Sequence, residues 1–394
     1  VGIRIQNFKC LADLTLGQVE LGGKDEPLPS LCCFIGPNGC GKSSLLDAFA
    51  FISDSLKEGV EAACDKPQRG GFARLRTQGS KDPIRFEMYY TESGNSSPII
   101  TYAFVIDEKN GIPIVSMELL AQISRRNIVI LDLTEGAGRL SESGKKKEED
   151  IRLENKDRLG ITSLGQISKY EHIVSLRKYI ESWYLSYFVP DAARRLPPAG
   201  AQRHLDRTGE NLGNVVQYLE RSHTERFSRI LERIRRRIPG IRQIKPEKSL
   251  DGRLLLQFNE KGYTDPFYQQ SMSDGTLKMF AYLLLLEDPE PPAFIGIEEP
   301  ENGLYHKLLE ELAREFRQYA ENSKGKSQIL LTTHSPYFVD ALRPEQVWLM
   351  EKDENGHTQA KRTSDMPAIK ELEAEGVPLG SLWYSNHFEE RFER

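Results

Sequence analysis

Cysteine is scarce, with five in 394 residues, standing at 10, 32, 33, 40 and 64 without a C-x-x-C pair. An odd, unpaired set of this kind excludes a disulfide scaffold and a structural zinc site. A reduced, cytoplasmic setting is the expectation. Cys32 and Cys33 lie in the apolar run LCCFI and read as small buried hydrophobes. Long hydrophobic runs are missing as well. Nothing approaches the ~20 apolar residues of a membrane-spanning helix, and the first residues show no signal-peptide pattern. An integral membrane or secreted protein is therefore not expected. Neither sign of charge dominates: 53 Lys and Arg stand against 58 Asp and Glu, for a net charge of −5. That balance excludes a wholesale nucleic-acid coat and leaves room for a local basic patch. No internal repeat and no sustained heptad pattern occurs.

What is present suits a globular chain. Hydrophobic residues make up 39% and charged residues 28%, and the length allows two or three domains of roughly 100–200 residues each. The segments IRIQNF and DLTLGQVEL read as strands, and LCCFI, without polar alternation, reads as a strand buried on both faces. From 81 to 134 the pattern turns to short alternating strands, namely IRFEMYY, IITYAFVID, IPIVSMELL and NIVILDL. They are separated by turn signals at Ser93-Gly94-Asn95 and Lys109-Asn110-Gly111. These predict an antiparallel side sheet. The charge-mixed stretch 141–156 reads as a surface loop or frayed helix, 209–238 as helical, and LLLQF after Gly252 as the return of alternating strands and helices. The expected division is 1–135, 136–250 (an inserted helical lobe) and 251–394.

Gly36-Pro37-Asn38-Gly39-Cys40-Gly41-Lys42-Ser43 matches G-x-x-x-x-G-K-[ST] in full, after a buried strand and before a helix that begins near Ser44. Glycines at those positions let successive amides turn inward around phosphate oxygens, and the positive end of the helix adds to the field. Lys42 is expected at the β- and γ-phosphates and the Ser43 hydroxyl on Mg²⁺. The Asn-Lys-x-Asp string of guanine-selective proteins is absent at that spacing, since the nearest string is Asn155-Lys156-Asp157, so the expected nucleotide is ATP.

A second short apolar run, Ala293 to Ile297, ends in Glu298-Glu299-Pro300-Glu301. Carboxylates at the carboxyl end of a buried parallel strand lie where open α/β sheets bind ligands. Glu298 is placed to hold Mg²⁺, and Glu299 to polarise the water that attacks the γ-phosphate. The buried run QILLTT ends at His334-Ser335-Pro336, which puts His334 at a strand terminus. Further upstream, 224–238 is amphipathic. Phe227, Ile230, Leu231, Ile234 and Ile238 make the apolar stripe, and Arg226, Arg229, Arg233, Arg236 and Arg237 make the other face. Those arginines either neutralise nucleic-acid phosphates or form a solvated face with Glu225 and Glu232 as partial partners.

Taken in order, the phosphate loop, SMSDGTLK at 271–278, EEPE and Thr-Thr-His-Ser resemble the ABC-type ATPases, within them the RecF, SMC and OLD (overcoming-lysogenization-defect) group. The opening IRIQNFKCLADLTL and the string EEPENGLYHKLL are similar to that group's first strands and to its E-E-P-E-x-x-L-H-P-x-L-L string. The likeness covers the first ~55 residues and 187–394, and is strongest to compact bacterial AAA-family ATPases. It implies an α/β ABC-ATPase head, a mixed P-loop sheet flanked by helices, with an antiparallel side sheet and an inserted helical lobe. It also implies ATP sandwiched between two protomers. Ser273, Asp274 and Gly275 would then face the partner's γ-phosphate, Lys9 and Ser44 would lie near the nucleotide, 302–304 would cross the dimer interface, and His334 would be the switch histidine.

Three departures stand out. Glu298 replaces a common Asp, Tyr305-His306 replaces His-Pro, and the glutamine that usually joins site and lobe has no clear position, leaving Arg194 as a candidate for that link. Without heptads there are no SMC-type arms. Without a DxD pair after His334 no Toprim nuclease is expected, and a nuclease-like effector would be a separate chain. The resemblance implies an ATP phosphohydrolase acting as a homodimer or larger assembly on DNA or on that effector, in bacterial antiphage defence. The alternatives are a RecF-like repair ATPase and an ATP-locked scaffold or sensor; a transporter motor fits least.

Overall fold

The computed structural model describes residues 1–20, 25–92, 98–123, 127–141, 148–238, 240–323 and 327–388. Two compact units divide the chain: Val1–Trp183 with Glu345–Met366, and Tyr184–Pro344 with Pro367–Arg394.

In the first unit, alternation of apolar residues produces an eight-stranded antiparallel sheet. Its order is Leu11–Gly17, Gly2–Phe8, Ile84–Tyr90, Ile99–Lys109, Ile112–Ile123, Ile128–Thr134, Ala137–Ser141 and Glu148–Arg152. The expected Asn110-Gly111 turn closes one hairpin with both residues at positive φ, 54° and 79°, the backbone a two-residue hairpin of matching twist requires. The Ser93 to Asn95 signal lies outside the described residues. A second, mixed set of strands joins Leu31–Ile35 in parallel to Val347–Lys352, which pairs antiparallel with Thr358–Arg362. The expected buried strand LCCFI is buried at all five positions.

The helix Lys42–Glu58 follows it and packs on the sheet through Phe51, whose ring lies 5.7 Å from that of Phe86. Phe86 in turn meets Phe8 and Phe104 at 5.6 and 5.1 Å. These rings are fully buried, each contributing about 1.5–3 kcal/mol by removal from water, and together they fix the helix that carries the phosphate loop. Farther along the sheet, buried Glu118 accepts from the Tyr102 hydroxyl at 2.9 Å and from the amides of Gly160 and Ile161. It thereby caps the short helix Gly160–Leu164, and burial pushes its carboxyl up.

The second unit is built on three parallel strands, Tyr184–Ser186, Phe294–Glu298 and Gln328–Thr332. Helices Asp274–Leu286 and His306–Asn322 belong to it, with Leu212–Ser222, Thr224–Arg237 and a small sheet of Ile241–Lys248, Leu254–Glu260 and Phe267–Tyr268. Among the described residues no helix is long and apolar enough to cross a membrane.

Two expectations need correction. The stretch 141–156 is neither loop nor frayed helix at its described end: Glu148–Arg152 is an edge strand paired with Ala137–Ser141, while 142–147 lies outside the described residues. The stretch 136–250 is also not a helical lobe. Strands open and close it, and the boundary between units falls after Trp183, because edge strands with polar alternation carry little hydrophobic signal.

Candidate functional site

In the first unit the buried strand Leu31–Ile35 delivers the chain to Gly36, whose φ of 146° and close approach to Met350 exclude a side chain. A Cβ there would lie 2.1 Å from the Met350 carbonyl oxygen. Gly41, at φ 114°, is confined in the same way, with a Cβ falling 2.3 Å from Thr358 Oγ1. Thr358 is itself buried and donates its hydroxyl to the Cys40 carbonyl at 2.7 Å. The loop is thus clamped from the strand Thr358–Arg362, a support the sequence did not disclose.

Lys42 is buried and folds back along the loop, its ammonium donating to the carbonyls of Gly36 and Pro37 at 2.9 and 3.0 Å. Pro37, Asn38, Gly39 and Ser43 are exposed, and Cys40 is buried with its sulfur 3.6 Å from the Lys42 ammonium. Ser44 Oγ lies 3.4 Å from the Cys10 thiol.

Lys9 adopts the left-handed region at φ 52° and pairs with Asp47 of the phosphate-loop helix at 2.6 Å. Asp47 also binds Arg69 at 2.8 Å, and Arg69, with no exposed side chain, reaches Asp54 at 3.0 Å. Lys9 therefore stands beside the loop's helix, and its charge is shared with an Asp that sequence reading passed over. Arg69 gave no signal, because its partners lie on another element.

In the second unit the strand Phe294–Glu298 is buried up to Ile297, and the chain then turns sharply at Glu299. Glu299 takes a φ of 43°, a conformation uncommon outside glycine and retained where surroundings over-determine it. They do so here. The Glu299 amide donates to the Thr332 carbonyl at 3.1 Å. Asn302 Nδ2 donates to Glu299 Oε2 at 2.7 Å, and His334 Nε2 stands 3.3 Å from Glu299 Oε1.

Glu301, assigned no role from sequence, accepts from the His334 amide at 2.6 Å, and burial pushes its carboxyl up. The acids of EEPE therefore differ: Glu298 and Glu299 are half-buried, and Glu301 is a latch on the turn that carries His334.

Ser273 caps the helix Asp274–Leu286, its Oγ accepting from the Thr276 amide at 3.2 Å. Asp274 is paired with Arg194, which also donates to the Met272 carbonyl at 2.8 Å. The candidate link Arg194 thus ties 190–195 to the start of that helix. Gln269, missed from sequence, reinforces the tie by accepting from the Leu256 amide and donating to the Arg195 carbonyl, both at 2.7 Å. Asp274, Glu298, Glu299 and Asn302 share a pocket of about 440 Å³ with Lys278 and Tyr187. The unit therefore brings Ser273 and Asp274, the acids and His334 into one neighbourhood.

The arginine face of Thr224–Arg237 is not an open basic patch. Arg229 and Arg233 bind Glu287 at 3.1 and 3.0 Å, Arg233 and Arg237 both bind the buried Glu315, and Arg226 reaches the Glu287 carbonyl. Only Arg236 of the five is exposed without such a partner among the described residues. The phosphate-contact reading is corrected for Arg229, Arg233 and Arg237, whose charges are met by acids within the unit.

A family model described as "AAA domain, putative AbiEii toxin, Type IV TA system" matches residues 31–340. Among solved structures, an SMC head bound to the C-winged helix domain of ScpA is 13% identical with a TM-score of 0.53, covering 91% of this chain and 96% of that one. The Pyrococcus yayanosii SMC head with a coiled coil and joint is 12% identical with a TM-score of 0.49, covering 95% and 99%. Comparison with curated proteins gives no match. At 13% identity the first of these likenesses shows the fold alone, that of an SMC head domain. The family match spans most of the chain, which therefore belongs to the AAA-domain ATPases described as putative AbiEii toxins of type IV toxin–antitoxin systems.

Proposed function

We propose that this chain binds and hydrolyses ATP with Mg²⁺, closes as a homodimer on the nucleotide, and passes that state to a partner protein. The observation that carries the reading is Glu299. It is a carboxylate at the end of a buried strand, held at φ 43° by Asn302 and paired with His334. Held side chains of this kind fit a base that must meet an attacking water in one geometry.

The roles divide along the chain. Lys42 and the loop amides bind phosphate oxygens, and the Lys42 ammonium exchanges its carbonyl partners for stronger anionic ones. Ser43 and Glu298 offer a hydroxyl and a carboxylate, hard oxygen donors that fit Mg²⁺, an ion that takes few protein ligands because phosphates and waters supply the rest. When bound, the ion neutralises charge developing on the phosphoryl oxygens. Glu299 accepts the proton of the attacking water, and His334 answers to the γ-phosphate through its pair with Glu299. Ser273 and the helix it caps present a second anion site to the ATP of a second copy.

A toxin–antitoxin role fits the family description, an antiphage role with a separate effector is the finer reading proposed, and one SMC head is described as bound to a domain of ScpA. With Arg229, Arg233 and Arg237 committed to acids of the unit, a protein partner is favoured over DNA.

Lys42→Ala tests the reading at its first step. Loss of a charge-assisted contact worth about 1.5–3 kcal/mol predicts ATP binding weaker by roughly 10- to 100-fold in calorimetry. Unchanged affinity in the folded variant would remove the loop from the nucleotide site.

A further inference from the structure

From Thr276 to Leu286 every residue of the helix Asp274–Leu286 is buried, and Lys278 is the single basic side chain among them. An ammonium in such a place is costly unless its donors are used. Here they are spent on main chain: Lys278 Nζ donates to the Asn302 carbonyl at 2.9 Å and to the Glu299 carbonyl at 3.3 Å. These two residues bracket the turn that holds Glu299 in its left-handed conformation, and Asn302 is the residue whose amide grips the Glu299 carboxylate at 2.7 Å. The same helix approaches the turn a second time through Gly275, where a Cβ would lie 2.8 Å from the Gly303 carbonyl oxygen. Burial pushes the Lys278 ammonium down, against the pull of Glu301, Glu299 and Asp274.

We propose that Lys278 is a positioning residue for Glu299: it fixes the 299–302 turn to the helix that begins beside Ser273, so that the carboxylate keeps one aim. This rests on Glu299 being the base that activates water. A turn tied in this way carries displacement of the Ser273 end to the Glu299 carboxylate. A second copy's ATP, by docking at Ser273, would thereby set the readiness of the first copy's base.

The test compares kcat, the KM for ATP and the melting temperature of wild type, Lys278→Met, Lys278→Arg, Glu299→Gln and the double variant Lys278→Met with Glu299→Gln. Misaiming a base predicts a kcat lowered by about 10- to 100-fold in Lys278→Met with KM within about twofold. Lys278→Arg, which restores donors, should recover part of the loss. The double variant should be no slower than Glu299→Gln alone, because both act through one carboxylate. A folded Lys278→Met with wild-type kcat, losses that add in the double variant, or a kcat that falls only in step with ATP affinity and melting temperature would each overturn the role of Lys278. Glu299→Gln with wild-type kcat would instead overturn the reading on which it rests. If Lys278→Met does not fold, Lys278→Gln, a neutral donor, carries the same comparison.

Discussion

Glu299→Gln is expected to lower ATP turnover by about 100- to 10,000-fold, the range a positioned general base contributes, while leaving ATP affinity unchanged. Glutamine keeps the shape of the side chain and still accepts from Asn302, whose amide now meets the carboxylate at 2.7 Å. What it loses is basicity. The contacts expected to bind phosphate lie on the loop 36–43 and are untouched, so substrate binding and chemistry separate cleanly in this variant. A colorimetric phosphate assay under saturating ATP, with affinity measured in parallel, checks both halves. Turnover within a factor of two of wild type would mean that another group activates the water.

The second large effect concerns stability and follows from the corrected arginine face. Glu315 has 6% of its side chain exposed and is the shared partner of Arg233 and Arg237, themselves 23% and 17% exposed. Burial pulls both guanidinium groups down from their ordinary range. Removing one member of a buried ionic cluster is far costlier than the cluster is worth, because the remaining charges keep their desolvation penalty. Glu287 still serves Arg233, and some solvent reaches both arginines, so Glu315→Ala should destabilise by about 2–4 kcal/mol, toward the lower part of that class. Arg236→Ala, on the exposed side of the same helix, should stay within about 0.5 kcal/mol. Urea unfolding of the two variants against wild type separates them. Equal stabilities would restore the arginine face as a free surface.

The two candidate regions were unequally legible. The phosphate loop is one contiguous string whose glycines are demanded by backbone geometry, so sequence and structure agree on Gly36 and Gly41 without tertiary information. The turn at Glu299 was legible as a carboxylate after a buried strand, but its strain and its ties to Asn302 and Lys278 arise only when a helix from another segment is laid beside it. Lys278 was visible as a lone charge in an apolar helix and was passed over. The arginines of Thr224–Arg237 misled because amphipathicity shows a polar face without showing what covers it. Their acidic partners lie 54, 74 and 82 residues away in sequence. Glu148–Arg152 was hidden for the opposite reason: as an edge strand with exposed and half-buried residues in alternation, it has no apolar face to announce it.

In the function proposed above, dimerisation gated by nucleotide is the central step, and Glu299→Gln is expected to isolate it by stopping hydrolysis. Light scattering of this variant should give the mass of one chain without nucleotide or with ADP, and the mass of two chains with ATP and Mg²⁺. The added substitution Ser273→Arg should hold it at one chain by blocking the second anion site. Binding of ATP demonstrated in the same sample with no change in mass would contradict a composite site, and would leave a monomeric ATPase whose signature helix has no partner nucleotide to read.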